Sequence, residues 1–305
     1  MLNQTVPHAK KLFSAVCLSM FLSLFTLMAA VPDGVFDWNE AAPVCSGILL
    51  AERTDNDPRP MKMWFVRIDL ATPGLGVRIT GRAPDREWGS AMPDCDRFLV
   101  RTLRTSTIDF MRDARNRDNL DMRLAVNASP WVPWEKPYNH RYADGMGLVI
   151  ADGVLVSYPN DRPALVFDAA GNADIIACTP EFKDHAGYTQ AVSGFFFVLN
   201  NGELPDGLVN DRSLAPRTGF GLSADRRYWY IFLIDGRQEN YSMGCTPAEV
   251  GEWLRYLGSD VAINMDGGGS TSLVTLDDHA SPIMLNHQPG GGIRRNGCNV
   301  GIYFK

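Results

Sequence analysis

The stretch NMDGGGSTS at residues 264–272 gathers the residue types that chemistry needs: an acid, Asp266, then Gly267, Gly268 and Gly269, then the hydroxyl residues Ser270, Thr271 and Ser272. Three glycines remove every Cβ from the bend, so backbone N–H groups can approach a ligand and converge on a phosphate or a sugar hydroxyl. A tight hairpin with a flexible tip is the plainer use of such a cluster. No Gly-Lys-Ser/Thr follows, so this is not a nucleotide-binding phosphate loop. Arg217 in RTGFG and Arg237 in DGR are candidate phosphate partners, because a guanidinium stays charged and can hold two oxygens at once. Asp235 precedes Arg237, and Asn127 in VNASPW could hydrogen-bond a sugar or cap a turn. Asn127-Ala128-Ser129 also fits the acceptor pattern for N-glycosylation.

These residues need elements to carry them. Thr246-Pro247-Ala248-Glu249 reads as a capping box with proline in the first turn; Val250, Trp253, Leu254 and Leu257 form an apolar stripe, and Gly258 ends it. Apolar strands flank this helix, YWYIFLID at 228–235 and VAINM at 261–265. Strand, helix, strand permits a crossover with the two strands parallel, which puts Asp235 and Asp266 on one sheet edge, where such sheets bind ligands. Upstream, residues 63–70 alternate as a strand with one apolar face, and 75–80 read as its hairpin partner. Ser106 caps an expected helix over 107–116, and MRLAVNAS leads as a strand into Asn127. TSLVTL after the glycines favours a strand. The expected fold is α+β, a single domain with a mixed β-sheet flanked by helices and an active site at strand ends.

Composition narrows the class. The chain has 305 residues, 45% hydrophobic, with a net charge of -6 and no basic run, which argues against a nucleic-acid partner. Residues 1–30 carry Lys10 and Lys11, then an apolar stretch ending in Ala29 and Ala30, the pattern of a signal peptide or an uncleaved N-terminal anchor. Either places residues 31–305 outside the cytosol, secreted or periplasmic, with membrane contact only through residues 12–30 if they persist. Without the two lysines the remaining domain carries -8. Cys45, Cys95, Cys178, Cys245 and Cys298 form no CxxC pair, so the spacing gives no structural zinc site, and an exported chain is expected to form one or two disulfides among them. His140, His185, His279 and His287 fall outside the strongest motifs, so a Ser/His/Asp triad has little support. His185 is a surface histidine or a proton shuttle.

Taken in order, RIDL (67–70), VNAS (126–129), AVSGFFFVLNNGEL (191–204), RTGFGLS (217–223), the run from 232 to 258, AINMDGGGSTSLV (262–274) and RRNGCNVGIYF (294–304) resemble the phosphodiester glycosidase family. The resemblance implies a hydrolase that cleaves the bond between a sugar anomeric carbon and a phosphodiester. It implicates Arg217, Thr218, Asp235, Arg237, Asn264, Asp266, Gly267, Gly268, Gly269 and Ser270, with Asn127, Ser193 and Gly194 beside them. Asp266 would be nucleophile or general base, with Asp235 its competitor. Phosphate leaves readily, so stabilising its charge outweighs general-acid help. No cofactor is required by the sequence; a divalent cation at Asp235 and Asp266 stays open. The partner implied is a carbohydrate or sugar phosphate. The rivals are a non-catalytic binder of glycan or cell-wall polymer and a phosphohydrolase that breaks the P–O bond. Two departures from the family pattern, Pro130-Trp131 after VNAS and Cys298-Asn299-Val300 near the C-terminus, bear on substrate choice.

Overall fold

The computed structural model describes residues 31–135, 139–182 and 184–305. Residues 1–30, with the expected export segment, lie outside the described residues. Among the described residues no helix is long and apolar enough to cross a membrane.

The molecule is mostly β, with 41% of it in strands and 12% in helix, which corrects the expected mixed sheet flanked by helices. A seven-stranded sheet runs in the order Ala42–Cys45, Ile48–Asp55, Met61–Asp69, Tyr228–Ile234, Arg217–Leu222, Val261–Asn264, Phe196–Leu199. A five-stranded sheet joins Pro282–Met284, Leu273–Leu276, Asp121–Asn127, Asn299–Phe304 and Leu75–Ile79. A second five-stranded sheet is built from segments between Val149 and Ser193. Every strand pair in these three sheets is antiparallel.

The central core lies between sheets, where Trp64, Val66 and Ile68 meet Val77, Leu124, Val126, Leu165 and Val300. Met63 and Phe65, on the opposite face of their strand, pack with Phe232, Trp253 and Leu254 beneath the helix Pro247–Leu257. That strand is therefore buried on both faces, where alternation predicts one. The helix Thr107–Asn116 covers the outer face of the first five-stranded sheet through Phe110, Met111 and Ala114. Each helix thus closes the outside of one sheet.

Local signals held. Ser106 accepts from the Asp109 amide, and the capping box of Thr246 and Glu249 forms, with Gly258 in the left-handed region at φ 109°. Long-range pairing is where the expectation failed. Leu75–Ile79 pairs with Asn299–Phe304 and not with residues 63–70, because the two runs belong to different sheets. The strands on either side of the second helix do run the same way, but Arg217–Leu222 lies between them, antiparallel to both. Their carboxyl ends still share one edge. The expected disulfides do not form: Cys45, Cys95, Cys178, Cys245 and Cys298 are all unpaired.

Candidate active site

Asp266 leaves the end of Val261–Asn264 and is held before its side chain does anything. Its amide donates to the Ala128 carbonyl at 3.0 Å, and its carbonyl accepts from Asn127 Nδ2 at 2.6 Å. Asn127 Oδ1 in turn accepts from Thr218 Oγ1 at 2.9 Å and from the Ser272 amide at 3.0 Å. One fully buried amide side chain therefore ties the end of its own strand to Arg217–Leu222 in the facing sheet and to both sides of the glycine bend. Behind it, Thr107, Ser272, Asn296 and Asn299 form a buried hydrogen-bonded group that supports Ser270 and Ser272.

The glycine bend is no hairpin tip, since it carries the chain from the seven-stranded sheet into the five-stranded one through a short 3-10 turn, Gly268–Ser270. Two of its amides are used internally. Gly267 donates to Asp266 Oδ1 at 2.9 Å and Gly268 to the Pro216 carbonyl at 2.8 Å. The absence of Cβ atoms serves close approach by charge instead. A Cβ on Gly268 would lie 3.0 Å from Arg237 Nη1, and one on Gly269 would lie 2.8 Å from Arg294 Cζ. Two exposed arginines thus rest on successive glycines beside the acid. Arg237 is itself in the left-handed region, at φ 59°, a conformation uncommon for a non-glycine residue and concentrated at functional sites.

Asp266 is 7% exposed, and burial raises its carboxyl to about 6 against the nearby Ser270 side chain, a hydrogen bond from the Gly267 amide and the charge of Arg294, which all favour the carboxylate. Desolvation wins, leaving an acid poised near neutrality in a site with cationic neighbours. Asp235 differs. Its Oδ1 accepts from Asn286 Nδ2 at 2.8 Å, and its Oδ2 from the His287 amide at 2.8 Å and the Tyr241 hydroxyl at 3.2 Å. Burial raises it too, yet these donors occupy both oxygens, so it anchors the 286–287 segment to its strand.

Arg217 lies beside the bend through its backbone, with its Cα 3.6 Å from a Cβ built on Gly267. Its guanidinium turns to the Cys245 carbonyl at 3.2 Å and to Ser213 at 2.9 and 3.1 Å. Asn264 and Gly194 are in contact, since a Cβ on Gly194 would lie 2.7 Å from the Asn264 carbonyl. Ser193 Oγ donates to the Leu148 carbonyl at 3.1 Å. His185 sits in a short 3-10 turn, His279 in the exposed turn before Pro282, and His140 pairs through Nδ1 with Asp94 at 2.8 Å.

Arg294 is the neighbour of Asp266 that the sequence does not single out, although it stands in the RRNGCNVGIYF motif, whereas Trp131 is one of the two departures expected to bear on substrate choice. An arginine pair followed by Asn-Gly was the available signal for the first. A cavity of about 450 Å³ opens over Gly269, lined by Arg104, His140, Ile293, Arg294 and Arg295. Burial and the charges of Arg294 and Arg295 depress Arg104 to about 10, so three guanidiniums crowd one wall. A larger cleft of about 860 Å³ is lined by Thr72, Asp168, Arg226 and Tyr303, away from all of these groups. Chemistry, not size, selects the smaller. Among the described residues no group of three or more His, Cys, Asp or Glu is placed to hold a metal ion.

Residues 123–304 match the family model described as phosphodiester glycosidase. The fold is similar to that of a hypothetical protein from Synechocystis, with a TM-score of 0.61 and 13% identity, covering 91% of this chain and 64% of that one. The chain thus spans less than two thirds of that structure. It is also similar to the zebrafish N-acetylglucosamine-1-phosphodiester alpha-N-acetylglucosaminidase catalytic domain, auto-inhibited by its pro-peptide, with a TM-score of 0.57, 18% identity, and coverage of 89% and 87%. At these identities the likeness is one of fold. No curated protein matches the sequence.

Proposed function

Because the chain belongs to the phosphodiester glycosidase family, we propose that it hydrolyses the bond between a sugar anomeric carbon and a phosphodiester oxygen, releasing the sugar and a phosphomonoester. The observation that carries this reading is the placing of a buried acid, Asp266, beside two arginines that rest on Gly268 and Gly269. Arg237 and Arg294 hold the phosphate oxygens and stabilise the charge that grows on them as the bond breaks. Arg217 adds charge from one layer behind, and Thr218, Asn127 and Ser270 keep Asp266 in place. Asn264, Ser193 and Gly194 shape the neighbouring wall.

The Asp266 carboxylate acts on the anomeric carbon's side, as base to the attacking water or as direct nucleophile. In the first case water's proton passes to the carboxylate, its oxygen bonds to the sugar carbon, and the carbon–oxygen pair leaves with the phosphate. In the second a glycosyl ester forms and water then releases it. Inversion or retention at the anomeric carbon, read by proton NMR of the first-formed sugar, separates them.

The test is incubation of the purified chain with a panel of sugar-1-phosphodiesters in water carrying heavy oxygen. Label in the sugar and none in the phosphate is the expected result. Label in the phosphate would make the chain a phosphohydrolase, and binding of the panel without turnover by wild-type protein would make it a glycan-binding protein. We further propose that residues 1–30 export the chain to the periplasm or the exterior. Cell fractionation checks this, and full-length protein in the cytosol counts against it.

A further inference from the structure

The sheet order lays the site out along one edge. From one side to the other come the carboxyl end of Tyr228–Ile234 with Arg237, the amino end of Arg217–Leu222, the carboxyl end of Val261–Asn264 with Asp266, and the amino end of Phe196–Leu199. Neighbouring strands are about 4.8 Å apart, so this edge spans roughly 14 Å, with Asp266 inside it and Arg237 beyond the strand end on one side. The other side is aromatic. Phe196 pairs with Asn264, and the Phe195 amide donates to the Asn264 carbonyl at 2.7 Å, so both rings start from the strand end that carries the acid.

Trp134 reaches the same place from another element. The Asp266 amide donates to the Ala128 carbonyl, Trp131 begins a two-residue strand three positions after Ala128, and Trp134 follows three positions on. Its ring lies 6.0 Å from that of Phe195, which is 6.4 Å from Phe196. Trp134 is 49% exposed and Phe196 37%. Arg162 stands 5.3 Å from the Phe195 ring centroid and donates to the Phe195 carbonyl at 3.3 Å, which fixes that ring in place. None of these three rings belongs to a buried core cluster. Large aromatic rings left half in water beside a polar site cost solvation unless a partner covers them.

We infer that Trp134 and Phe195 are the surface on which the sugar ring of the substrate stacks, across Asp266 from the strand end that carries Arg237. The C–H face of a pyranose is apolar and flat enough to cover an aromatic ring, whereas the phosphate cannot leave water for such a wall. The two halves of a sugar phosphodiester are thereby sorted by polarity, and the bond between them falls at Asp266. This inference rests on the function proposed above, but its test reads binding and needs no turnover.

Calorimetric titration of a hexose 1-phosphate, an N-acetylhexosamine 1-phosphate and inorganic phosphate onto wild type, Trp134→Ala, Trp134→Tyr and Phe195→Ala separates the possibilities. At least one sugar phosphate should bind wild type more tightly than phosphate does, and Trp134→Ala or Phe195→Ala should weaken it about tenfold while phosphate affinity stays within about twofold. Trp134→Tyr should restore most of the loss. Unchanged thermal midpoints would show that the exposed ring is not holding the fold. Equal affinity of sugar phosphate and phosphate for wild type overturns the inference, as does equal sugar-phosphate binding by wild type and Trp134→Ala. If the binding pattern appears but no diester is hydrolysed, only the hydrolase reading falls.

Discussion

At the level of single residues, the raised Asp266 carboxyl has two consequences of opposite sign. In the reaction the carboxylate is the working form, so kcat/KM of wild type should rise with pH through about 6 and then level, as measured by initial rates across pH 4.5–8. In folding, the native chain keeps a proton that the unfolded chain gives up between pH 3.8 and about 6. Stability linked to this group is therefore complete below pH 3.8 and is lost as pH rises through about 6. Asp266→Asn should abolish turnover by about 10³-fold or more. The same variant should exceed wild type in stability at pH 8 by up to about 3 kcal/mol, a gap that closes near pH 4. Urea unfolding at the two pH values checks this, and equal midpoints at both would show that the charge is solvated after all. The acid itself was legible from sequence because an acid, three glycines and a serine at a strand end admit few uses. Its ordering against Asp235 was not, since which carboxylate is tied up depends on Asn286, His287 and Tyr241 arriving from elsewhere in the chain.

Among the elements, the helix Pro247–Leu257 joins the two acid-bearing strand ends, and its first turn is fixed by two devices of unequal strength. Thr246 accepts the Glu249 amide at 3.3 Å, a cap whose loss in Thr246→Ala should cost about 1 kcal/mol. Glu249 Oε2 accepts from the Thr246 amide at 2.8 Å and from Arg59 Nη2 at 2.5 Å, in a pair with side chains only 5% and 0% exposed. Removing one partner of a buried ion pair takes away the charge that offsets the other's desolvation, so Glu249→Ala should cost about 3–5 kcal/mol, several times the cap. Thermal unfolding of the two variants gives the ranking, and comparable losses would mean that water reaches Arg59 in the absence of the carboxylate. The cap could be read from four consecutive residues. The ion pair spans 190 positions and carries no local signal. The same distinction explains why Leu75–Ile79 pairs with Asn299–Phe304 rather than with the strand before it: alternation names a strand's faces but not its neighbour. Gly251 shows the limit in miniature, for a Cβ there would lie 2.2 Å from the Val198 carbonyl, a packing need that helix propensity cannot reveal.

For the molecule as a whole, charge is distributed against its sum. The net charge is -6, yet Arg104, Arg237, Arg294 and Arg295 gather around the glycine bend, so an anionic diester meets a local field opposite to the average. Raising salt from about 20 to about 500 mM should lower kcat/KM several-fold, because a Debye length of roughly 20 Å contracts to about 4 Å and the exposed guanidiniums are screened. Arg294→Gln should start lower and respond less steeply. A salt response equal to that of wild type would remove Arg294 from the approach path. The family could be read from the order of motifs along the chain, while the stacked antiparallel sheets could not, because periodicity shows that a strand is buried on a face without showing what lies across it. Asn127 is the feature of that stacking with the longest reach. It is the rivet through two plates: any remodelling that slides one sheet over the other must first break the bonds that seat Asp266, whereas Trp134 is half exposed at the rim. Laboratory selection for a new sugar should accordingly accumulate its changes at residue 134 and around residues 195–196, and leave the joint at Asn127, Thr218 and Ser272 untouched.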